Sequence, residues 1–180
     1  MNLYNLHSKP ESLDHFEKSA EINPDFFWKK YRDDKEELKK REKFIAKSAI
    51  YAYNYARFII KGPFPAGEAA IAKKGSISCQ YAGDVLNGPF PAGEAAIAQD
   101  ERSAYEYAKW NLKGPFPAGE ATIAKYARFA YYYARDILKG PFPAGEEAIS
   151  KDLMHTYEYT KNVLKKDFYF NGKLIAKYKP

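Results

Sequence analysis

The sequence Gly62-Pro63-Phe64-Pro65-Ala66-Gly67-Glu68 decides the fold, because the same seven residues recur without substitution at three later places. They begin again at Gly88, Gly114 and Gly140, so successive copies are 26 residues apart. A fixed period of this length is typical of repeat arrays, in which each unit buries its apolar face by packing on its neighbours. The sequence therefore predicts a repeat protein.

The residues before each heptapeptide predict a long α-helix. In the fourth copy, apolar side chains fall at spacings of three and four residues, which is the pattern of one helical face. They are Ala130, Tyr133, Ala134, Ile137 and Leu138. Gly140 stands where a left-handed C-cap is expected, and Pro141 cannot continue the helix. The long helix is therefore predicted to end at the heptapeptide, with the glycine as its cap.

The rest of the heptapeptide predicts the start of a second, short helix. Phe142 is free to pack into the core, and Pro143 is suited to the first helical position. Glu146 then lies in the first turn, where the positive end of the helix dipole stabilises a carboxylate. The position before the long helix, where an N-cap is expected, carries a polar residue in three copies: Ser48, Asp100 and Asp152.

The predicted fold class is all-α, an α-solenoid of about five 26-residue two-helix repeats with an N-terminal helical cap. Each copy is framed by the glutamate that opens it: Glu42, Glu68, Glu94, Glu120 and Glu146. Residues 42–165 hold the tandem repeats, residues 1–41 the N-terminal cap, and residues 166–180 the C-terminal cap with a basic tail. Within the N-terminal cap, Ser8 and Asn23 each stand shortly before a proline and are predicted to begin a helix.

The C-terminal segment is compatible with two structures. Asn171-Gly172 lies between apolar residues, which is the strongest short-range signal for a β-hairpin. The segment 173–177 also aligns with the short helix of the repeat. The sequence predicts a capping element here and leaves hairpin and helix open.

Charge is distributed unevenly along the chain, which carries a formal net charge of +6. Residues 42–160 hold 14 basic and 13 acidic side chains, whereas residues 161–180 hold 6 basic and 1 acidic. A near-neutral array argues against a groove that follows nucleic-acid phosphates, since that affinity needs clustered cations. With one cysteine, and with no apolar run suited to a signal peptide or a membrane span, the chain is expected to be cytoplasmic and not bound to a membrane.

No motif indicates catalysis. The Gly-x-x-x-x-Gly spacing of the heptapeptide is that of a phosphate-binding loop, but Glu68 stands where such a loop needs lysine. Cys79 replaces a tyrosine of its column and is interpreted as a packing residue, and the three histidines lack metal-ligand spacing. We expect a non-enzymatic protein with no catalytic residue, no metal site and no cofactor.

A variable set of positions on the long helices predicts a binding surface. Comparing copies, one tyrosine column (Tyr55, Tyr81, Tyr107, Tyr133, Tyr159) never changes and is expected to pack between repeats. The opposite face varies, and aromatic and arginine side chains are the types that anchor interfaces. The predicted partner-binding residues are Arg57, Phe58, Lys109, Trp110, Tyr132, Arg135 and Lys161.

Two alternatives to a protein-binding surface stay open at the level of sequence. The basic column of Arg57, Lys109, Arg135 and Lys161, with nearby aromatics and the basic tail, could bind RNA or DNA. The variable positions could also be an unconstrained surface that has drifted, although large apolar side chains such as Trp110 argue against this.

The repeat resembles a tandem helical family found in uncharacterised proteins of tailed bacteriophages and some bacteria. Ala104-Tyr105-Glu106-Tyr107-Ala108, with the segment 112–117 that follows it, carries the resemblance, which covers residues 42 to about 166. Phe-Pro-Ala-Gly stands where that family often has Trp-Pro-Glu-Ala, so the acidic first turn is weaker here. The resemblance implies a phage setting and no mechanism. In such a setting the expected partner is a host protein or complex, for instance a defence system such as a CRISPR-Cas effector, which the module would inhibit.

Overall fold

The computed structural model describes residues 34–180, which divide into two compact units at the boundary between Phe44 and Ile45. The described part of the first unit contains helix α1 (Lys35–Lys40) and the start of helix α2 (Glu42–Ile45). The helix predicted to begin at Ser8, and the first part of the helix predicted to begin at Asn23, lie outside the described residues. The second unit contains the repeats.

The all-α class predicted from the repeat is confirmed, since helices make up most of the described chain and the only strands form one small sheet at the C-terminus. Each copy from the second onward begins with a short helix, as the prolines of the heptapeptide predict. These short helices are α4 (Pro65–Ile71), α6 (Glu94–Ile97), α8 (Pro117–Ile123) and α10 (Glu146–Ser150). In two copies the prolines form a separate 3-10 turn instead, Pro91–Gly93 before α6 and Pro143–Gly145 before α10.

The second helix of each copy begins as an α-helix and ends as a π-helix. The α-helical parts are α3 (Ala49–Asn54), α5 (Gly75–Tyr81), α7 (Glu101–Glu106), α9 (Ala127–Tyr133) and α11 (Leu153–Tyr159). The π-helical parts are Tyr55–Ile60, Ala82–Leu86, Tyr107–Leu112, Ala134–Leu138 and Thr160–Leu164. Each α-helical part contacts that of the next copy, and the π-helical parts do the same, so equivalent positions of neighbouring copies are adjacent.

The cap of the long helix differs from the prediction. The left-handed residue is not Gly140 but Lys139, with φ 54°, and the glycines that begin the other heptapeptides also lack a positive φ. The amides of Lys139 and Gly140 both donate to the carbonyl of Ala134, so the wider π-turn moves the cap one residue towards the N-terminus. The expectation that glycine takes the left-handed position was therefore wrong.

The core is made of side chains that recur in register in every copy. The predicted tyrosine column is buried, as are the phenylalanine of each heptapeptide and one isoleucine of each short helix. Phe116 packs edge-on against Tyr107, with ring centroids 5.2 Å apart. Gly119 then allows close approach, because a Cβ atom there would lie 2.6 Å from the Phe116 ring. The invariant heptapeptide thus follows from packing.

Each buried tyrosine also fixes the heptapeptide through its hydroxyl group. The Tyr107 hydroxyl accepts a hydrogen bond from the amide of Phe90 at 2.8 Å and donates one to Glu94 at 2.9 Å. The same pair of bonds is made by Tyr81, Tyr133 and Tyr159. The glutamates therefore satisfy buried hydroxyl groups in addition to lying in a first helical turn, and the sequence prediction missed this role.

Two of the three predicted N-caps form the expected bond. Asp100 accepts from the amide of Ser103, and Asp152 accepts from the amide of His155. Ser48 occupies the cap position but makes no side-chain capping bond.

The C-terminal segment is a hairpin, which decides between the two structures that the sequence allowed. Strands β1 (Phe168–Phe170) and β2 (Lys173–Ala176) are antiparallel, with Phe170 opposite Lys173. Both turn residues have positive φ, 49° at Asn171 and 74° at Gly172, as an Asn-Gly hairpin turn requires. Phe168 is buried against Tyr159, so it takes the place of the heptapeptide phenylalanine after the last copy.

Candidate functional site

The predicted partner-binding residues lie on the long helices at two levels of exposure. Four of them are exposed: Arg57, Phe58, Trp110 and Lys161. Three are partly covered by neighbours: Lys109, Tyr132 and Arg135. Trp110 is the most exposed aromatic side chain of the predicted set, at 66%.

The partly covered cations belong to hydrogen-bonded clusters that join neighbouring copies. Asp136 of the fourth copy accepts from Tyr105 at 2.5 Å and from Lys109 at 2.8 Å, both in the third copy. Arg135 also pairs with Asp136, at 2.6 Å. Burial alone would raise the pKa of Asp136, but hydrogen bonds from Arg135, Lys109 and Tyr105 hold it well below its usual range. One carboxylate is shared by two cations, Lys109 and Arg135, so the cluster keeps one excess positive charge.

An equivalent cluster joins the first and second copies. The Tyr53 hydroxyl donates to Asp84, and Arg57 pairs with Asp84 at 2.6 Å. Asp84 stands at the same repeat position as Asp136, and Tyr53 at the same position as Tyr105. A carboxylate of one copy therefore holds the tyrosine and the cation of the copy before it.

Tyr132 is the centre of an aromatic and cationic cluster on the fourth copy. The Arg135 guanidinium lies 4.9 Å from the centre of its ring, and the Arg128 guanidinium lies 5.7 Å away. The rings of Tyr131 and Tyr105 are 5.3 Å and 5.9 Å from it. These contacts fix the orientation of Tyr132, so little conformational freedom would be lost if it bound a partner.

The junction of the second and third copies departs from this pattern. Cys79 and Gly83 stand where the other copies have a tyrosine and a cation, and Trp110 stands where the fourth copy has Asp136. Cys79 is buried, and burial raises the pKa of its thiol to about 12. Its sulfur lies 3.7 Å from Oδ1 of the buried Asn111, whose Nδ2 has no hydrogen-bond partner. In the part of the chain that the structure describes, no ion pair joins the second and third copies, and Lys109, whose ammonium lies 4.9 Å from the Trp110 ring, pairs with Asp136 of the fourth copy instead.

The junction of the fourth and fifth copies uses an amide instead of a carboxylate. Asn162 donates to the Tyr131 hydroxyl at 3.0 Å and to Glu158 at 2.5 Å. The Lys161 ammonium lies 5.6 Å from the Tyr157 ring, and the side chains of Leu153 and Met154 are exposed at the start of the same helix. The last copy therefore also exposes apolar side chains, at the start of its long helix.

Sequence reasoning missed the tyrosine column formed by Tyr53, Tyr105 and Tyr131 as a partner of the variable carboxylates. A signal was present, since Asp84 and Asp136 each stand 31 residues after one of these tyrosines. That separation is one repeat plus five residues. The two side chains meet only because adjacent long helices pack side by side, which the spacing alone does not show.

Few other groups in residues 34–180 form a candidate site. Among residues 34–180, no group of three or more His, Cys, Asp or Glu side chains could hold a metal ion. His155 is buried and hydrogen-bonded to Asp152 at 2.8 Å, whereas His7 and His15 lie outside the described residues. An open cleft of about 470 Å³ lies beside His155, lined by Lys125, Tyr126 and Arg128 among others.

The geometry defines a class of protein: an all-α, repeat-like protein whose copies share one core and differ on one helical face. Comparisons with models of protein families, with curated proteins and with solved structures find no match to this chain. Within residues 34–180, no helix has the length and apolar character needed to cross a bilayer.

Proposed function

We propose that the chain is a non-enzymatic binding module that engages a protein partner through the face of its long helices in the third to fifth copies. The observation that carries this proposal is the exposed Trp110, whose ring lies 4.9 Å from the Lys109 ammonium, together with the ordered cluster of Tyr132, Arg128 and Arg135 on the next copy. Tryptophan, tyrosine and arginine are the residues that most often dominate the energy of protein interfaces. The repeat core supplies a rigid support for them.

The charge of this face also favours a protein over a nucleic acid. Arg57, Lys109 and Arg135 are each paired with a carboxylate, so binding phosphates through them would first require breaking those pairs. Of the four basic residues in the nucleic-acid alternative, only Lys161 has no acidic partner within residues 34–180. Lys109 and Arg135 share the single carboxylate of Asp136, so the basic column offers only Lys161 and one excess charge at Asp136, too few for a groove that follows phosphates.

The resemblance to phage repeats suggests what the partner is. A small binding module encoded by a phage would act in the host cytoplasm on a host protein or complex, and inhibition of a defence system such as a CRISPR-Cas effector fits a module without catalytic groups. This step is an analogy at the level of the family.

The test is a capture experiment with matched variants. The tagged chain, its Trp110→Ala variant and a Gln99→Ala control are each incubated with bacterial lysate, half of it nuclease-treated and half untreated, and the protein retained in stoichiometric amount is identified and purified. Gln99 is exposed at the end of a short helix, away from the long-helix face. We expect Trp110→Ala to weaken binding of the purified protein by roughly 30-fold, as for an interface anchor, and Gln99→Ala to leave it unchanged.

Two results would contradict the proposal. Equal capture by the wild type and by Trp110→Ala would place the interface elsewhere. Loss of all capture on nuclease treatment would replace the protein partner by a nucleic acid. The melting temperature of Trp110→Ala must match that of the wild type, because a solvent-exposed ring contributes little to the core.

A further inference from the structure

The left-handed residue that ends each long helix is a lysine in four copies and an asparagine in the second, and we call the four lysines the lysine column. These five residues have φ between 52° and 57° and are exposed in every copy: Lys61, Asn87, Lys113, Lys139 and Lys165. Glycine takes this conformation without steric cost, and asparagine tolerates it better than other residues do. Asn87 follows that preference, but the other four copies have lysine.

The helix dipole does not explain why lysine occupies this position. A cation near the C-terminus of a helix is favourable, but it acts equally well from the preceding turn, where no left-handed backbone is needed. The residue immediately before the lysine is apolar in each copy, for example Leu112 before Lys113 and Leu138 before Lys139. The lysine therefore occupies the left-handed position, where a side chain is unfavourable, although the neighbouring position would carry its charge without this cost. A residue kept in an unfavourable backbone conformation points to a function.

These lysines are free to bind an anion. None of them forms an ion pair within residues 34–180, in contrast to Lys109, which pairs with Asp136. The π-helical parts of neighbouring copies are in contact, so the residues that end them follow one another at the spacing of packed helices, roughly 8–10 Å per copy, with Asn87 interrupting the lysines between Lys61 and Lys113. Lys166 follows directly after the last of them.

We propose that this lysine column binds the phosphate backbone of a nucleic-acid duplex without reading its sequence. Flexible, unpaired ammonium groups at regular spacing suit phosphates, which are contacted from outside the grooves. Binding of single strands would need aromatic platforms for the bases. Exposed aromatic side chains stand three residues before the column in only two copies, Phe58 before Lys61 and Trp110 before Lys113, so no continuous platform for bases follows the lysines. The column lies in the last turn of the same long helices, three residues after Trp110 in the third copy, but its unpaired ammonium groups are not part of the protein-binding proposal and do not depend on it.

The sequence offers a matched pair of variants for the test. In the edge variant, Lys61, Lys113, Lys139 and Lys165 are changed to Asn, which the second copy already has at this position as Asn87. In the control variant, four exposed lysines at the ends of the short helices are changed to Gln, which the third copy already has at that position as Gln99: Lys47, Lys73, Lys125 and Lys151. Both variants lose four positive charges, from opposite ends of the long helices, and of the control lysines Lys151 pairs with the exposed Glu147 at 2.6 Å.

The measurement is the fluorescence anisotropy of a labelled 24-base-pair DNA duplex titrated with each protein between 50 and 200 mM KCl. Each lost phosphate contact lowers the slope of log K against log salt by about 0.9. We expect the edge variant to lose about 3 to 4 units of slope and at least tenfold in affinity at 50 mM, and the control variant to keep most of both. The Trp110→Ala variant is expected to bind the duplex like the wild type.

Three outcomes would overturn the proposal. Equal weakening in both variants would mean that net charge alone attracts DNA, and no weakening in the edge variant would remove the column from the interface. If polyglutamate with the same number of charges as the DNA duplex bound as tightly as the duplex, the column would be assigned to acidic proteins instead of nucleic acids. Far-ultraviolet circular dichroism verifies that the edge variant is folded, and Asn at the left-handed position is expected to preserve the melting temperature.

Discussion

Each tyrosine of the buried column from the second copy onward makes two hydrogen bonds to a heptapeptide through its hydroxyl group. Removal of the Tyr107 hydroxyl group tests whether these bonds hold the heptapeptide in place. Tyr107 is fully buried, accepts from the amide of Phe90 and donates to Glu94. In the Tyr107→Phe variant the ring remains, but the Phe90 amide loses its partner inside the core. A buried, unsatisfied amide costs about 1–3 kcal/mol, and the lost bond to a carboxylate that water can reach adds about 1 kcal/mol. The expected loss in free energy of unfolding is therefore about 3 kcal/mol.

The assay is urea denaturation followed by circular dichroism. With an m-value of about 2 kcal/mol per molar urea, a loss of this size lowers the midpoint by roughly 1.5 M. The matched control is Tyr157→Phe, because the Tyr157 side chain is 53% exposed and its hydroxyl has only a 3.5 Å contact with Lys161. We expect the control to change the free energy of unfolding by less than about 0.5 kcal/mol. Equal midpoints for the two variants would refute the structural role of the hydroxyl column.

Two further predictions concern the backbone and the buried tyrosines. Gly119→Ala should lower the free energy of unfolding by about 1–3 kcal/mol, because its Cβ would lie 2.6 Å from the Phe116 ring. Gly114→Ala should be nearly neutral in urea denaturation, because the atom nearest its Cβ would be 3.9 Å away. A large effect at Gly114 would instead support glycine as the left-handed cap. Burial raises the pKa of Tyr81 and Tyr107 from 10.0 to about 12, so the unfolded chain ionises first and stability falls as the pH rises from 10 to 12. Urea midpoints measured from pH 8 to 11.5 should therefore decline above pH 10, and a flat profile would contradict the buried, neutral state of these hydroxyl groups.

The repeat frame was predictable from the sequence because its signals are local. The 26-residue period, the prolines and the spacing of apolar residues each act within one copy, so they predict two helices and a buried phenylalanine without knowledge of the packing. The invariant tyrosine column could be placed in the core by comparing copies within the chain. The hairpin turn at Asn171-Gly172 was also visible, although the alignment with a short helix competed with it.

The features that escaped prediction depend on backbone detail or on neighbouring copies. A single π-turn spans too few residues to change the apolar pattern, so its displacement of the cap from Gly140 to Lys139 leaves no trace in the periodicity. The bond from Tyr105 to Asp136 crosses from one copy to the next, and its existence depends on how adjacent helices pack. The sequence therefore predicted the variable positions of the candidate site but not which of their charges are paired.

The pairing pattern bears on whether the variable face has simply drifted. At other junctions the position of Trp110 carries a carboxylate or amide that satisfies a tyrosine of the preceding copy, as Asp136 does for Tyr105. A tryptophan there cannot satisfy that hydroxyl, and an unpaired buried hydroxyl costs about 1–3 kcal/mol. At this one junction the tyrosine is replaced by Cys79 and the accompanying cation by Gly83, so no unpaired hydroxyl or ammonium group is left behind. The three differences, Cys79, Gly83 and Trp110, are therefore mutually compatible. Independent drift at each position would not be expected to produce such a compatible set, whereas selection for an exposed tryptophan ring at this junction would.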